Sequence, residues 1–139
     1  MIRHASLLLG LILLSACQPA ELPAHVVRVI DGDSLVVMIA GHQHDIRIPG
    51  INAPEIHAPC AAEKKLARLS RAYLQSLLSR SGNVHLRPKI PYLWQRDKYG
   101  RLLANIQLSD GRDVATELLR TGHALRWWPF MPKPTWCVS

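Results

Sequence analysis

Three short blocks gather side chains that together could work on a phosphate: Asp31-Gly32-Asp33, the stretch Arg47-Ile48-Pro49-Gly50-Ile51-Asn52-Ala53-Pro54-Glu55, and Asp97-Lys98-Tyr99-Gly100-Arg101. Phosphodiester hydrolysis needs a base for water, cationic donors for the charge that grows on the pentacoordinate phosphate, and a hard cation held by oxygens. Glu55 is a carboxylate for the first task, and Arg47 and Arg101 are permanently charged planar forks for the second. The acidic pair Asp31 and Asp33 offers oxygens for the third. Taken singly, each residue has an ordinary reading, Glu55 as a surface loop carboxylate and Arg47 as an ion-pair partner on a strand face. Their joint occurrence favours chemistry. His57 reads as a loop residue, and His42, His44, His85 and His123 lack a metal-ligand spacing.

Such residues act only if the chain brings them together. Ile46 to Ile51 alternates apolar and polar side chains like a strand with one buried face, and Asn52-Ala53-Pro54 breaks the pattern. Glu55 therefore leaves the strand on a loop, within reach of an arginine that stays on it. Upstream, His25 to Ile30 and Ser34 to Ile39 are β-branched runs around the turn signal Asp31-Gly32-Asp33, and Gly41-His42 turns into the strand carrying Arg47. This three-stranded meander places Asp33 near that strand's end. From Cys60 to Arg80 the period becomes helical, with Leu66, Leu69, Tyr73 and Leu77 predicted to cover the sheet. Lys64, Lys65, Arg68 and Arg71 fall on the other face, either to assist polyanion binding or simply to be solvated. Val84 to Arg87 and Leu102 to Leu108 read as strands, Val114 to Thr121 as a short helix stopped by Gly122, and Ala124 to Ser139 as an aromatic, proline-rich tail. Periodicity alone gives an α+β fold, mainly β and mostly antiparallel. The order of elements suggests a five-stranded OB-fold barrel with two packed helices.

A length of 139 residues, 48% of them apolar, allows one domain with an ample core. The formal charge of +7 points to a polyanionic partner, or merely to solubility. Residues 1–17 read as an export signal: Arg3, the apolar run Leu7 to Leu14, too short to span a bilayer, and then Leu14-Ser15-Ala16-Cys17, which resembles a bacterial lipobox with Cys17 as the lipidated residue. An ordinary secretory signal is the alternative. Cleavage before Cys17 removes only Arg3 of the charged residues, so +7 becomes +6. Gln18 after the cysteine, rather than an aspartate, favours the outer membrane if the cell is Gram-negative. Residues 18–23 read as a tether and 24–139 as the folded domain. Cys60 and Cys137 then remain as an even pair in an oxidising compartment, a natural disulfide, and no zinc-ligand spacing accompanies either.

Val29-Ile30-Asp31-Gly32-Asp33-Ser34, the block from Arg47 to Glu55 and Asp97 to Arg101, in this order and at these intervals, resemble the staphylococcal nuclease (thermonuclease) family from about His25 to about Phe130. The resemblance implies that Glu55 is the general base for in-line attack at phosphorus and that Arg47 and Arg101 bind the phosphate. It implies a calcium ion held by Asp33 with two further positions, here Asn52 and Ala53, and it implies that Lys98 and Tyr99 contact a terminal phosphate. Trp128 and Phe130 fall where the family stacks tyrosines on the base, or they are simply tail packing. Asn52 departs from the family, which usually has an aspartate there; an amide oxygen remains but a charge is lost, so calcium should bind more weakly or another divalent cation be preferred, with Asp31 or a water making up the difference. Ala53 replaces a threonine whose contribution is a backbone carbonyl, which any side chain leaves intact. Cys60 and Trp136-Cys137 resemble an exported subgroup in which a disulfide would pin the tail beside the catalytic loop. The implied function is metal-dependent cleavage of DNA and also RNA with low sequence specificity, breaking the 5′ P–O bond, by a monomer at the cell envelope. The alternative is a catalytically weakened barrel that binds nucleic acid or another polyanion.

Overall fold

The computed structural model describes residues 20–137. The predicted signal peptide, the lipobox Cys17 and the first residues of the tether lie outside them. Strands β1 (Leu22–Asp31), β2 (Ser34–Ile39) and β3 (His42–Arg47) form the expected antiparallel meander, with Ser34 opposite Arg47 in the β2–β3 register. β1 starts inside the stretch read as tether, because Leu22 and Pro23 pair with Leu86 and His85 of β5 (Asn83–Pro88). That partner lies some sixty residues along the chain, so no local signal marks the strand's first rungs. Two register shifts in β1, between Val26 and Arg28 and between Val29 and Asp31, bend the strand so that one end pairs with β5 and the other with β2.

Closure comes from β7 (Leu102–Gln107), antiparallel to β5 and parallel to β3 through Ile46 opposite Leu102 and Arg47 opposite Leu103. β1, β2, β3, β5 and β7 thus make a five-stranded OB-type barrel without a free edge. The parallel rungs are the exception to a mostly antiparallel expectation, and they set Arg47 beside the segment leading back to Arg101. The two-residue strand β6 (Gln95–Arg96) adds to β7, while β4 (Ile51–Asn52) and β8 (Leu125–Arg126) pair in a separate two-stranded sheet that joins the tail to the loop before Glu55. The barrel interior is filled by Leu35, Val37, Ile46, Leu86 and Ile106, all fully buried. Each such side chain contributes about 1.5–3 kcal/mol of burial.

Helix α1 (Ala61–Ser81) starts on Cys60, whose sulfur accepts the Glu63 amide, and covers the barrel as expected, but through a rotated face. Ala67, Ser70, Leu74, Leu77 and Leu78 are buried, whereas Leu66 and Leu69, predicted to pack inward, are exposed. The reason is a close approach: a methyl group added at Gly32 would lie 2.8 Å from the Cβ atoms of both Ala53 and Ser70. Only small residues fit where the acidic turn passes beneath the helix, and that selects the Ala67–Ser70 stripe. Helix α2 (Val114–Arg120) is capped by Asp113 and ends on Thr121, followed by Gly122 at φ +74°, where the amides of Gly122 and His123 return to Leu119 and Leu118 carbonyls. Among the described residues no helix is long and apolar enough to cross a membrane.

Cys60 and Cys137 form the expected disulfide, 77 residues apart in sequence. Closing so long a loop removes unfolded-chain entropy worth about 4 kcal/mol. Reduction should therefore lower the urea midpoint markedly without changing the folded-state spectrum. An intact mass that fails to rise by two protons with reductant would show that the crosslink does not form.

Candidate active site

The ends of β1, β3 and β7, the loop after β4 and the chain beyond β8 surround an open cleft of about 1000 Å³. That is large for a small-molecule site and fits a stretch of chain rather than one phosphate. Asp31, Asp33, Arg47, Asn52, Ala53, Glu55, Lys98, Tyr99, Arg101 and Trp128 all line it. Residues from three separated sequence blocks are thus brought to one surface. Phe130 is not: it is 86% exposed and lies outside the lining.

Arg47 is the structural hub. Its guanidinium donates to the carbonyls of Ile48 and Ile51, the latter at 2.6 Å, and its Nη2 lies 3.3 Å from Asp33 Oδ2. A rigid fork thereby folds residues 48–51 around itself and fixes where Asn52 to Glu55 begin. Asp33 is buried and each of its oxygens accepts a bond: Oδ1 from the Ser34 hydroxyl, and Oδ2 from the Ala53 amide at 2.8 Å. The Ser34 hydroxyl oxygen also accepts from Arg101 Nη1 at 3.3 Å, linking the two arginines through one serine and one carboxylate.

Arg101 is held differently. Asp97 accepts its Nε at 2.7 Å and the amides of Tyr99 and Arg101 at 2.9 and 3.0 Å, making a tight turn. Burial opposes charge on Asp97, but the Arg101 guanidinium and these amides outweigh it and hold the carboxyl below its ordinary value. The exposed Tyr99 ring collects two cations, Lys98 Nζ at 5.0 Å and the Arg101 guanidinium at 5.5 Å from its centroid. Both cations of this arm thus border the cleft, Arg101 held by Asp97 and Ser34.

Glu55 sits on the opposite lip. Its amide is anchored by the Glu63 carboxylate of α1 at 3.0 Å, and its own carboxylate is half exposed and paired with Lys133 Nζ at 2.8 Å. Trp128 packs over Gly50, where a methyl would lie 3.3 Å from the ring and where φ of +78° independently requires glycine. Lys89 Nζ lies 6.0 Å from the Trp128 ring centroid.

The expected cation ligands Asp33, Asn52 and Ala53 share one wall of the cleft with Asp31. Asn52 is buried, but its amide oxygen accepts the Trp136 indole N–H at 3.1 Å, so the tail occupies one of its acceptor positions. The Ala53 amide donates to Asp33, which ties the loop holding the Ala53 carbonyl to the acidic turn. The second charge near the site comes from Asp31, whose oxygen accepts the Asp33 amide at 3.1 Å. Burial, and then repulsion from Asp33, push the Asp31 carboxyl up to about 6. Two crowded carboxylates on a cleft wall are a setting that a hard divalent cation relieves. Asp31 and Asp33, with the Asn52 amide oxygen beside them on the cleft wall, are the side chains that would hold such an ion.

Arg28, Arg71, Lys89, Trp127 and Lys133 also line the cleft. Arg71 was legible as part of the basic helix face. Arg28, Lys89 and Lys133 carried no local signal, since only the closed barrel and the returning tail bring them here.

A closed OB-type barrel thus carries on one cleft two neighbouring aspartates, a buried and a half-buried arginine, and a loop glutamate. Residues 45–133 match the family described as staphylococcal nuclease homologue, and the chain belongs to that family. It is 32% identical over 105 residues to an uncharacterized endonuclease of Escherichia coli, covering 76% of this chain and 61% of that one. It is 32% identical over 97 residues to the endonuclease YncB of Bacillus subtilis, 70% and 44% of the two chains, and 30% identical over 95 residues to the thermonuclease of Staphylococcus hyicus, 68% and 52%. The chain thus spans between 44% and 61% of the length of these relatives. Members of the family generally depend on calcium.

Proposed function

We propose that the protein is a metal-dependent phosphodiesterase that cleaves DNA and also RNA with little sequence preference. The observation that carries this reading is the convergence on one cleft of Glu55, Arg47, Arg101 and the Asp31–Asp33 pair. Glu55 takes the proton of the attacking water. Arg101 turns from Asp97 to the phosphate oxygens and stabilises the charge that grows on them. Arg47 holds the floor of the site and orients Asp33. Asp31 and Asp33 would hold a divalent cation, whose chemistry when bound is polarisation of the phosphate. Lys98, Tyr99 and Trp128 hold the rest of the substrate through phosphates and ring faces, contacts that read no sequence.

The signal-like residues 1–17 with Cys17 support an extracytoplasmic, lipid-anchored placement, and the disulfide is consistent with an oxidising compartment. One observation favours a second reading, a nucleic-acid-binding barrel with weakened catalysis: the Asn52 oxygen is engaged by Trp136.

Digestion of single-stranded DNA and of RNA by the chain from Gln18 onward, first with chelator and then with calcium, magnesium or manganese restored, separates the two. Cleavage that returns with an added ion supports the enzyme, and the effective ion reports the site's preference. Undiminished cleavage in chelator would exclude the metal requirement. Retained binding without cleavage under any ion would favour the binding barrel.

A further inference from the structure

The chain beyond β8 does not merely end the fold; it returns along the cleft and is fastened at both ends to the segment between β3 and α1. On one side the Trp127 amide donates to the Gly50 carbonyl at 3.1 Å, while the Trp127 indole and the Met131 amide close a turn with Met131 and Trp128 carbonyls. On the other side Trp136 donates to Asn52, and Cys137 is crosslinked to Cys60 at the start of α1. Between these fastenings lies Pro132-Lys133-Pro134. Proline fixes its own φ and drives the preceding residue toward extended backbone, so Lys133 is presented from a strap with little freedom. Its ammonium reaches the cleft and rests 2.8 Å from the Glu55 carboxylate.

We infer that Lys133 is a further substrate-binding residue, whose ammonium moves from Glu55 to a phosphate of the bound strand, and that the Cys60–Cys137 crosslink keeps it in place. The inference rests on the nucleic-acid reading of the cleft. The Lys133–Glu55 pair is suited to this exchange because both partners are more than half exposed, and such pairs are weak enough to yield to a phosphate. Releasing Glu55 from the ammonium as substrate binds also leaves that carboxylate free for water, so occupancy of the cleft and availability of the base are coupled.

The test is made in the Glu55→Gln background, which removes the competing carboxylate and allows binding to be measured without turnover. The affinity for a single-stranded oligonucleotide is followed against salt for Glu55→Gln alone and combined with Lys133→Ala or Lys133→Arg. Loss of one phosphate contact lowers the slope of log affinity against log salt by about 0.7. That decrease is expected for Lys133→Ala, with restoration by arginine. Equal slopes with and without Lys133 would overturn the proposal and leave the residue as an internal partner of Glu55. Replacing both Cys60 and Cys137 by serine in the same background should reproduce the lower slope, and adding Lys133→Ala should then change nothing further; a full slope without the crosslink would refute its part. The outcome is independent of catalysis: a wild-type chain that binds but does not cleave would sink the nuclease reading while the slope difference still stood.

Discussion

Replacing Glu55 by glutamine is expected to lower single-turnover cleavage of single-stranded DNA by about 10²- to 10⁴-fold, the usual contribution of a positioned general base. Affinity should change little, because the amide keeps the shape of the side chain and its removal of one negative charge from a basic cleft does not oppose binding. The fold should be unaffected. The Glu55 side chain is half exposed, and the anchor that places its loop is the backbone amide on Glu63, which the substitution leaves intact. A loss of cleavage accompanied by normal binding and an unchanged urea midpoint therefore identifies chemistry rather than structure. An active protein that kept its rate after this change would show that another group takes the proton, and the assignment of Glu55 would be wrong.

The two arginines should separate in the opposite sense. Arg47→Ala is expected to destabilise the fold by about 3–5 kcal/mol, because it leaves the buried Asp33 carboxylate without its cation and strips the Ile48 and Ile51 carbonyls of their donors. Cleavage should be lost with it, since the segment leading to Glu55 is folded around this guanidinium. Arg101→Ala removes a side chain that is 28% exposed and tied to a surface turn. Its unfolding free energy should fall by less than about 1 kcal/mol, while cleavage falls by about 10²- to 10³-fold through lost transition-state stabilisation. Chemical denaturation of both variants beside their cleavage rates makes the comparison. Equal stability of the two would mean that Arg47 is not the hub described.

Much of this arrangement was legible in the chain because it is local. The alternation around Ile46, the turn signals at Asp31-Gly32-Asp33 and the helical period after Cys60 each follow from spacing within about twenty residues. The positions of Glu55, Arg47 and Arg101 on one cleft followed from three ordered blocks, and the barrel agrees with them. Long-range contacts were hidden. Leu22 and Pro23 become strand only by pairing with β5, and the inward face of α1 is set by Gly32 passing under Ser70, a contact no helical wheel contains. Asn52 was legible as a departure from the family, but its engagement with Trp136 depends on a tail returning across 84 residues. Lys133 lay unnoticed for the same reason, and Phe130, read as a stacking residue from its position, lies outside the cleft while Trp128 lies in it.

The central claim is that this cleft breaks phosphodiester bonds. The most direct test is cleavage of an end-labelled single-stranded oligonucleotide of mixed sequence by the oxidised chain from Gln18 onward, with a divalent cation present and the product ends resolved. Cuts distributed over most positions, each leaving a 3′-phosphate, are expected, and they should disappear with Glu55→Gln. An oligonucleotide that stays bound and intact under every cation would contradict the claim.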